Sequence, residues 1–270
     1  MAGVRVLRTT LDGVTLQWCR EVRSALPMHV HRTLQLGVIE AGKVTVDVDG
    51  GRVEAEAGDL LAFDPDRAHR LHAPTVAVTA RVLEMAASVV RERLELGPEV
   101  PLPRLPPRID DPPAADALRD VHDHFERQAP ATSALDELLC HLYAAHGAAD
   151  GPEPPAVSVD VARVRDRLAG DLTSRPTLDE LAELAGGSRF QLARAFKRRF
   201  GLPPLTYHLQ LRLERAKTML AAGRPAVDVA VATGFADQSH LHRHFRRHTL
   251  LTPGAFARQL TEPPGRTRET

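Results

Sequence analysis

Four histidines crowd one short stretch, His240, His242, His244 and His248. The pairs 240/244 and 244/248 have the i, i+4 spacing with which a helix can clasp a metal ion. The same stretch carries Gln238, Ser239, Arg243 and Arg246, a set able to hydrogen-bond base edges and to pair with phosphates. We therefore read these imidazoles as DNA-facing or solvated groups. The chain shows no nucleophile elbow in a Ser/His/Asp order and no glycine-rich phosphate loop, so no enzyme is expected. One Trp and two Tyr are too few for the stacking platforms that read single strands or RNA.

The elements that would position this chemistry are legible around it. Residues 227–233 read as a helix, Gly234 as a turn, and Asp237 as the N-cap of a second helix whose core residues are Leu241 and Phe245. His242 joins Gln238, Ser239, Arg243 and Arg246 on the outward side. The pattern also occurs 49 residues earlier, where Asp179 matches Asp228, Ser188 matches Asp237, Leu192 matches Leu241, Arg194 matches Arg243 and Phe196 matches Phe245. In that copy residues 178–185 form the first helix, Gly186-Gly187 the turn, and Ser188 caps residues 189–200. Leu192, Phe196 and Phe200 fall at i, i+4 and i+8 and face the core, which leaves Arg189, Phe190, Arg194 and Lys197 outward, as on a helix entering a major groove. One charged helix face is ordinary solvated surface. Two in register, each with its own cap and turn, predict a paired reader of double-stranded DNA.

Charge divides the chain in the same way. The net charge is zero, yet residues 1–156 hold 16 basic and 24 acidic side chains, net −8, while residues 157–260 hold 17 and 9, net +8. An acidic module is joined to a basic one, and 270 residues suffice for two domains. Residues 4–82 alternate apolar and polar with period two in short runs, and Asp49-Gly50-Gly51 marks a hairpin, so a small β-barrel or sandwich is expected. Residues 83–96 read as helix, 97–113 as a proline-rich loop, and 114–147 as helix again. There Leu135, Leu138, Leu139 and Leu142 make one apolar stripe, packed against the β module or forming a homodimer seam. The run at 151–155 reads as a semi-rigid linker within 148–157. Cys19 and Cys140 are expected to be reduced thiols. With no membrane span and no signal-peptide pattern, a cytoplasmic protein is expected.

Residues 177–258 resemble the DNA-binding domain of the AraC/XylS family of transcription regulators. Ala182, Gly187-Ser188, Leu192, Arg194, Phe196-Lys197, Gly201, Tyr207, Arg212, Ala216, Leu220, Gly234-Phe235, Phe245 and Pro253 sit at family positions. The resemblance implies a domain of seven helices at 158–260, two helix-turn-helix motifs at about 178–200 and 227–249, and a linker helix at about 204–222. Thr249-Leu250 replaces the family's aromatic-Gly pair, so the left-handed cap of the second recognition helix is expected to be missing. The terminal aromatic-Arg pair is displaced to Phe256 and Arg258.

The segments MHVHRTLQLGVIEAG and AGDLLAFDPDRAHRL resemble the two motifs of the cupin-like sensor domain that many members of that family carry. The fold class implied is α+β: a cupin-like β-barrel with flanking helices over residues 1–147, and an all-α domain with two helix-turn-helix motifs. Mapped on the metal-binding cupins, the ligand positions fall on His29, His31, Gln35 and His69. Gln35 replaces a carboxylate, a stronger ligand, so these residues are read as a pocket for an organic effector. A divalent transition metal on His29, His31 and His69 is the alternative, and with it a metal sensor or a metal-dependent cupin enzyme fused to a DNA-binding domain. The partners implied are promoter DNA, a small-molecule or metal effector, RNA polymerase and a second copy of the chain; no membrane is involved.

Overall fold

The computed structural model describes residues 3–9, 11–97, 100, 102–127, 129, 131–148 and 159–261. The expected linker at 148–157 lies outside them, except for residue 148.

Nine strands come first: β1 (Gly3–Arg8), β2 (Val14–Val22), β3 (Leu26–His29), β4 (Thr33–Ala41), β5 (Lys43–Val48), β6 (Gly51–Glu56), β7 (Leu60–Phe63), β8 (His69–Leu71) and β9 (Val78–Ala86). A tenth, β10 (Arg108–Ile109), completes a six-stranded sheet of order β1-β2-β9-β4-β7-β10, which faces a four-stranded sheet of order β3-β8-β5-β6. The barrel is therefore not closed, and the two sheets meet as an open sandwich. Strand alternation does what period two requires: Val44, Val46 and Val48 of β5 are buried while Lys43 is exposed. The β5–β6 hairpin turns through Asp49 and Gly50 at φ 53° and 78°, the left-handed pair that a two-residue turn needs.

The helix expected over residues 83–96 is corrected at its start. Residues 83–86 extend β9, which pairs with β2 on one side and β4 on the other, and α1 (Ala87–Arg93) follows. Sheet pairing on both edges overrides a local helical pattern, and Leu83 and Met85 alternate into the core as a strand demands. Two antiparallel helices, α2 (Pro112–Glu126) and α3 (Thr132–His146), cover the outer face of the large sheet. Asp111 caps α2, accepting from Ala114 N at 3.0 Å. Leu135, Leu138, Leu139 and Leu142 are fully buried against this sheet and α2, so the stripe is spent within the chain and is not a homodimer seam.

Among the described residues seven helices make up the second half: α4 (Val161–Gly170), α5 (Leu178–Ala185), α6 (Arg189–Phe200), α7 (Pro204–Ala221), α8 (Ala226–Ala232), α9 (Gln238–Thr249) and α10 (Pro253–Thr261). They form two small cores, with α7 passing between them. The first gathers Leu192, Phe196, Phe200 and Tyr207, and Met28, Val30 and Ala68 of the β module complete it. The second gathers Phe235, Leu241, Phe245 and Phe256 and is closed by Val4 and Val6 of β1. Gln259 ties this seam by accepting from Val6 N at 2.7 Å and donating to Val4 O at 3.4 Å. Gly201, the left-handed cap of α6, presses so closely on Ala68 that a Cβ there would lie 2.1 Å from the alanine methyl.

Candidate functional site

Each helix-turn-helix is set by local hydrogen bonds that the sequence specifies. Thr177 and Glu180 form a reciprocal capping box on α5, and Ser188 and Gln191 form one on α6, with Gly186 left-handed between the helices. Asp237 caps α9 by accepting from His240 N at 2.6 Å. With Leu192, Phe196, Leu241 and Phe245 fully buried, the opposite faces are open: Arg189, Phe190, Arg194 and Lys197 on α6, and Gln238, Ser239, Arg243 and Arg246 on α9, are exposed, and His242 is half-exposed. Phe190 exposes 77% of its surface, more than any other large hydrophobic side chain among the described residues. Arg189 is held toward α5 by Asp179 at 3.0 Å.

The histidine row of α9 splits. His240 and His244 pack edge-on to each other, centroids 4.8 Å apart, beside Phe235. His248 turns inward instead: its Nδ1 lies 3.3 Å from Gln210 Nε2 of α7, and burial, with the charges of Arg247 and Lys217 and nearby His244, pulls its pKa down to about 4. The reading of His248 as DNA-facing or solvated is corrected by that packing. The left-handed cap expected to be missing is also present. Leu250 itself adopts φ 62°, ψ 0° and donates its N–H to Arg246 O at 2.9 Å. Thr249 fixes the turn by donating to Phe245 O at 2.8 Å, and α10 docks Phe256 edge-on to Phe245 at 5.3 Å. Packing therefore imposes on a leucine a conformation that costs about 1–2 kcal/mol.

In the β module His29 and His69 face each other across β3 and β8, and His31 joins them from the adjoining loop. One ring nitrogen from each lies within 4.8 Å of the others. Each Nδ1–H donates to a backbone carbonyl, that of Pro27 (2.7 Å), Thr33 (2.8 Å) or Arg67 (3.0 Å), which leaves Nε2 of each ring as the remaining ligand atom. Nε2 of His31 and of His69 is buried with no hydrogen-bond partner among the described residues. Burial, reinforced by neighbouring imidazoles, holds His29 down to about 3 and His69 well below its ordinary value, so both are neutral.

Gln35 does not serve this cluster. Its amide donates to Glu84 at 2.9 Å, as does that of Gln17 at 2.8 Å, and both glutamines line a separate cavity between the sheets. Phe63, stacked on His69 at 3.8 Å, lines that cavity as well. The sequence reading missed two features. One is this cavity, whose lining is scattered over many strands. The other is a surface cluster in which Asp111 Oδ2 meets His141 Nε2 and His146 Nε2 at 2.8 and 2.7 Å; helix packing alone joins residues 30 and 35 positions apart.

Comparison with known proteins agrees with this architecture. A model of the AraC-like ligand binding domain matches residues 14–143, and a helix-turn-helix domain model matches residues 181–259. The uncharacterized HTH-type transcriptional regulator YbfI of Bacillus subtilis is 27% identical over 236 residues, 82% of each chain. A putative AraC-like transcription regulator of Streptomyces lividans is 28% identical over 183 residues, 61% of this chain and 60% of that one. In fold, apo ToxT of Vibrio cholerae matches with a TM-score of 0.62 at 12% identity, over 94% of this chain and 100% of its own. A ligand-binding β domain joined to paired helix-turn-helix units on a common helix defines a DNA-binding transcription regulator. The chain belongs to the AraC family of these regulators. Among the described residues no helix is long and apolar enough to cross a membrane.

Proposed function

We propose that the chain reads duplex promoter DNA with Arg189, Phe190, Arg194 and Lys197 of α6 and with Gln238, Ser239, His242, Arg243 and Arg246 of α9, under the control of an effector in the β module. The observation that carries this reading is the pairing of two capped helices whose buried faces are apolar and whose open faces are basic and polar. Helices so arranged enter successive major-groove segments about 34 Å apart. The test is selection of bound sequences from random duplexes, followed by footprinting on the site recovered. Arg194→Ala and Arg243→Ala, each at an exposed mid-helix position, should weaken that site by about 1–3 kcal/mol if each makes a paired base contact. Full affinity in both folded variants would overturn the groove assignment.

A second reading concerns His29, His31 and His69, which we assign as ligands of a divalent transition ion. The reservation that Gln35 is a weak ligand no longer applies, because Gln35 is engaged by Glu84. Three imidazoles, each oriented through Nδ1 by a backbone carbonyl, have the second-shell arrangement of metal-ligating histidines. The orphaned Nε2 atoms of His31 and His69 supply the reason to bind. Such an ion would supply a sensing or bracing charge beside the loop that meets α6 through Ala68. Untagged protein purified without chelator should hold about one equivalent of transition metal, lost in His31→Ala. Metal-free protein that also fails to take up cobalt, read by its visible absorption, would sink this assignment.

A further inference from the structure

The cavity between the sheets is separate from the histidine cluster, and the chemistry of its wall limits what can enter. Most of its wall is aliphatic or aromatic, including Leu26, Ile39, Val44, Leu61 and Val82. Among the described residues no Lys, Arg, Asp or Glu lines it. Several of the polar groups present are already engaged. The Gln17 and Gln35 amides donate to Glu84, and His72 Nε2 is engaged by Asp47 at 2.8 Å. Burial, with the charge of Glu84, pushes the Cys19 thiol up to about 12 and keeps it uncharged. A charged ligand would be desolvated here without a counter-ion on the wall, whereas a neutral one could still donate to the free amide oxygens of the two glutamines.

Among the described residues, one in this wall comes from the C-terminal half, and it is Leu250. It is also the left-handed cap of α9, a place that favours glycine. A leucine there accepts backbone strain and lines the cavity, at the very end of the second recognition helix.

Resting on the reading of the chain as an effector-controlled regulator, we propose that this cavity takes an uncharged, largely apolar small molecule with a hydrogen-bond donor, and that Leu250 is the contact through which the bound molecule acts on α9. Any ligand that fills the cavity touches the cap of the helix directly, so ligand and helix position are coupled without an intervening relay. The coupling is reciprocal, and DNA that repositions α9 alters the ligand's affinity by the same factor.

The test uses the full chain and two probes of similar shape, neutral N-phenyl-1-naphthylamine and its anionic counterpart 1-anilinonaphthalene-8-sulfonate. The neutral probe should bind at one per chain by fluorescence titration, and the sulfonate at least tenfold more weakly. Gly37→Val should remove neutral-probe binding while the protein still melts cooperatively, since a Cβ at Gly37 meets its nearest neighbour, Val82, at 3.5 Å and the added methyls enter the cavity. By hydrogen exchange, the neutral probe should change protection of amides 246–251 at least threefold in the wild-type chain, and this change should vanish in Leu250→Gly, which relieves the backbone while deleting the contact. Equal affinity for the sulfonate, or no binding of the neutral probe, would overturn the ligand class. Unchanged protection in the wild type, or an equal change in Leu250→Gly, would overturn the role of Leu250. None of these readouts needs DNA, so a chain that selected no DNA sequence would fail the regulator reading alone.

Discussion

Phe245→Ala is expected to lower stability by about 3–5 kcal/mol, and Phe196→Ala by a similar amount. Both rings are completely buried. Phe245 meets Phe256 edge-on and shares its core with Leu241 and Phe235. Phe196 lies 4.5 Å from Phe200 and 5.5 Å from Tyr207, centroid to centroid. Truncation leaves a cavity bounded by other rings and by helices joined through short turns, which have little freedom to collapse. Because each core also contains side chains from the β module, the loss should be felt across the domain seam. Urea denaturation followed by far-UV circular dichroism measures it. Arg194→Ala, two positions from Phe196 on the exposed side of the same helix, should shift the midpoint by no more than about 0.5 kcal/mol. A loss below about 1 kcal/mol for both phenylalanines would contradict the assignment of buried and open faces.

Acid should destabilise the chain steeply and early. Burial, with the Arg81 charge, pulls His122 down to about 4, and burial, with the Arg212 charge, does the same to His208. Unfolded, both take up a proton near 6.5. Between these values the unfolded state binds more protons, so stability is fully present above about pH 6.5 and falls as pH drops toward 4. Each histidine contributes a slope of about 1.4 kcal/mol per pH unit, so the two together give nearly 3. Urea midpoints at pH 7.5, 6 and 5 test this. A profile flat from pH 7 to 5 would show that these imidazoles are charged in the folded state.

What was legible in the sequence is what short-range physics decides. Ser188, Asp237, Gly186 and the i, i+4 rows of leucine and phenylalanine specify the caps, turns and faces of the two helix-turn-helix units within a dozen residues of one another. What was not legible depends on partners far along the chain. Residues 83–86 are strand because β2 and β4 flank them. His248 is withdrawn from the exposed face of α9 by α7, and Leu250 is bent left-handed by the docking of α10. The candidate sensor site was half visible. The motif marked His29, His31 and His69, which do converge, but grouped with them Gln35, which belongs to another cavity because Glu84 claims its amide.

The β module holds the two halves of the DNA-binding domain separately, the first through Val30 and Ala68 and the second through Val4, Val6 and Gln259. The recognition helices are thus the jaws of a caliper whose frame is the sensor. A change in angle between β1 and the loop before β8 would alter the gap between the jaws. Duplex DNA, with its fixed repeat of about 34 Å, accepts only one setting of that gap.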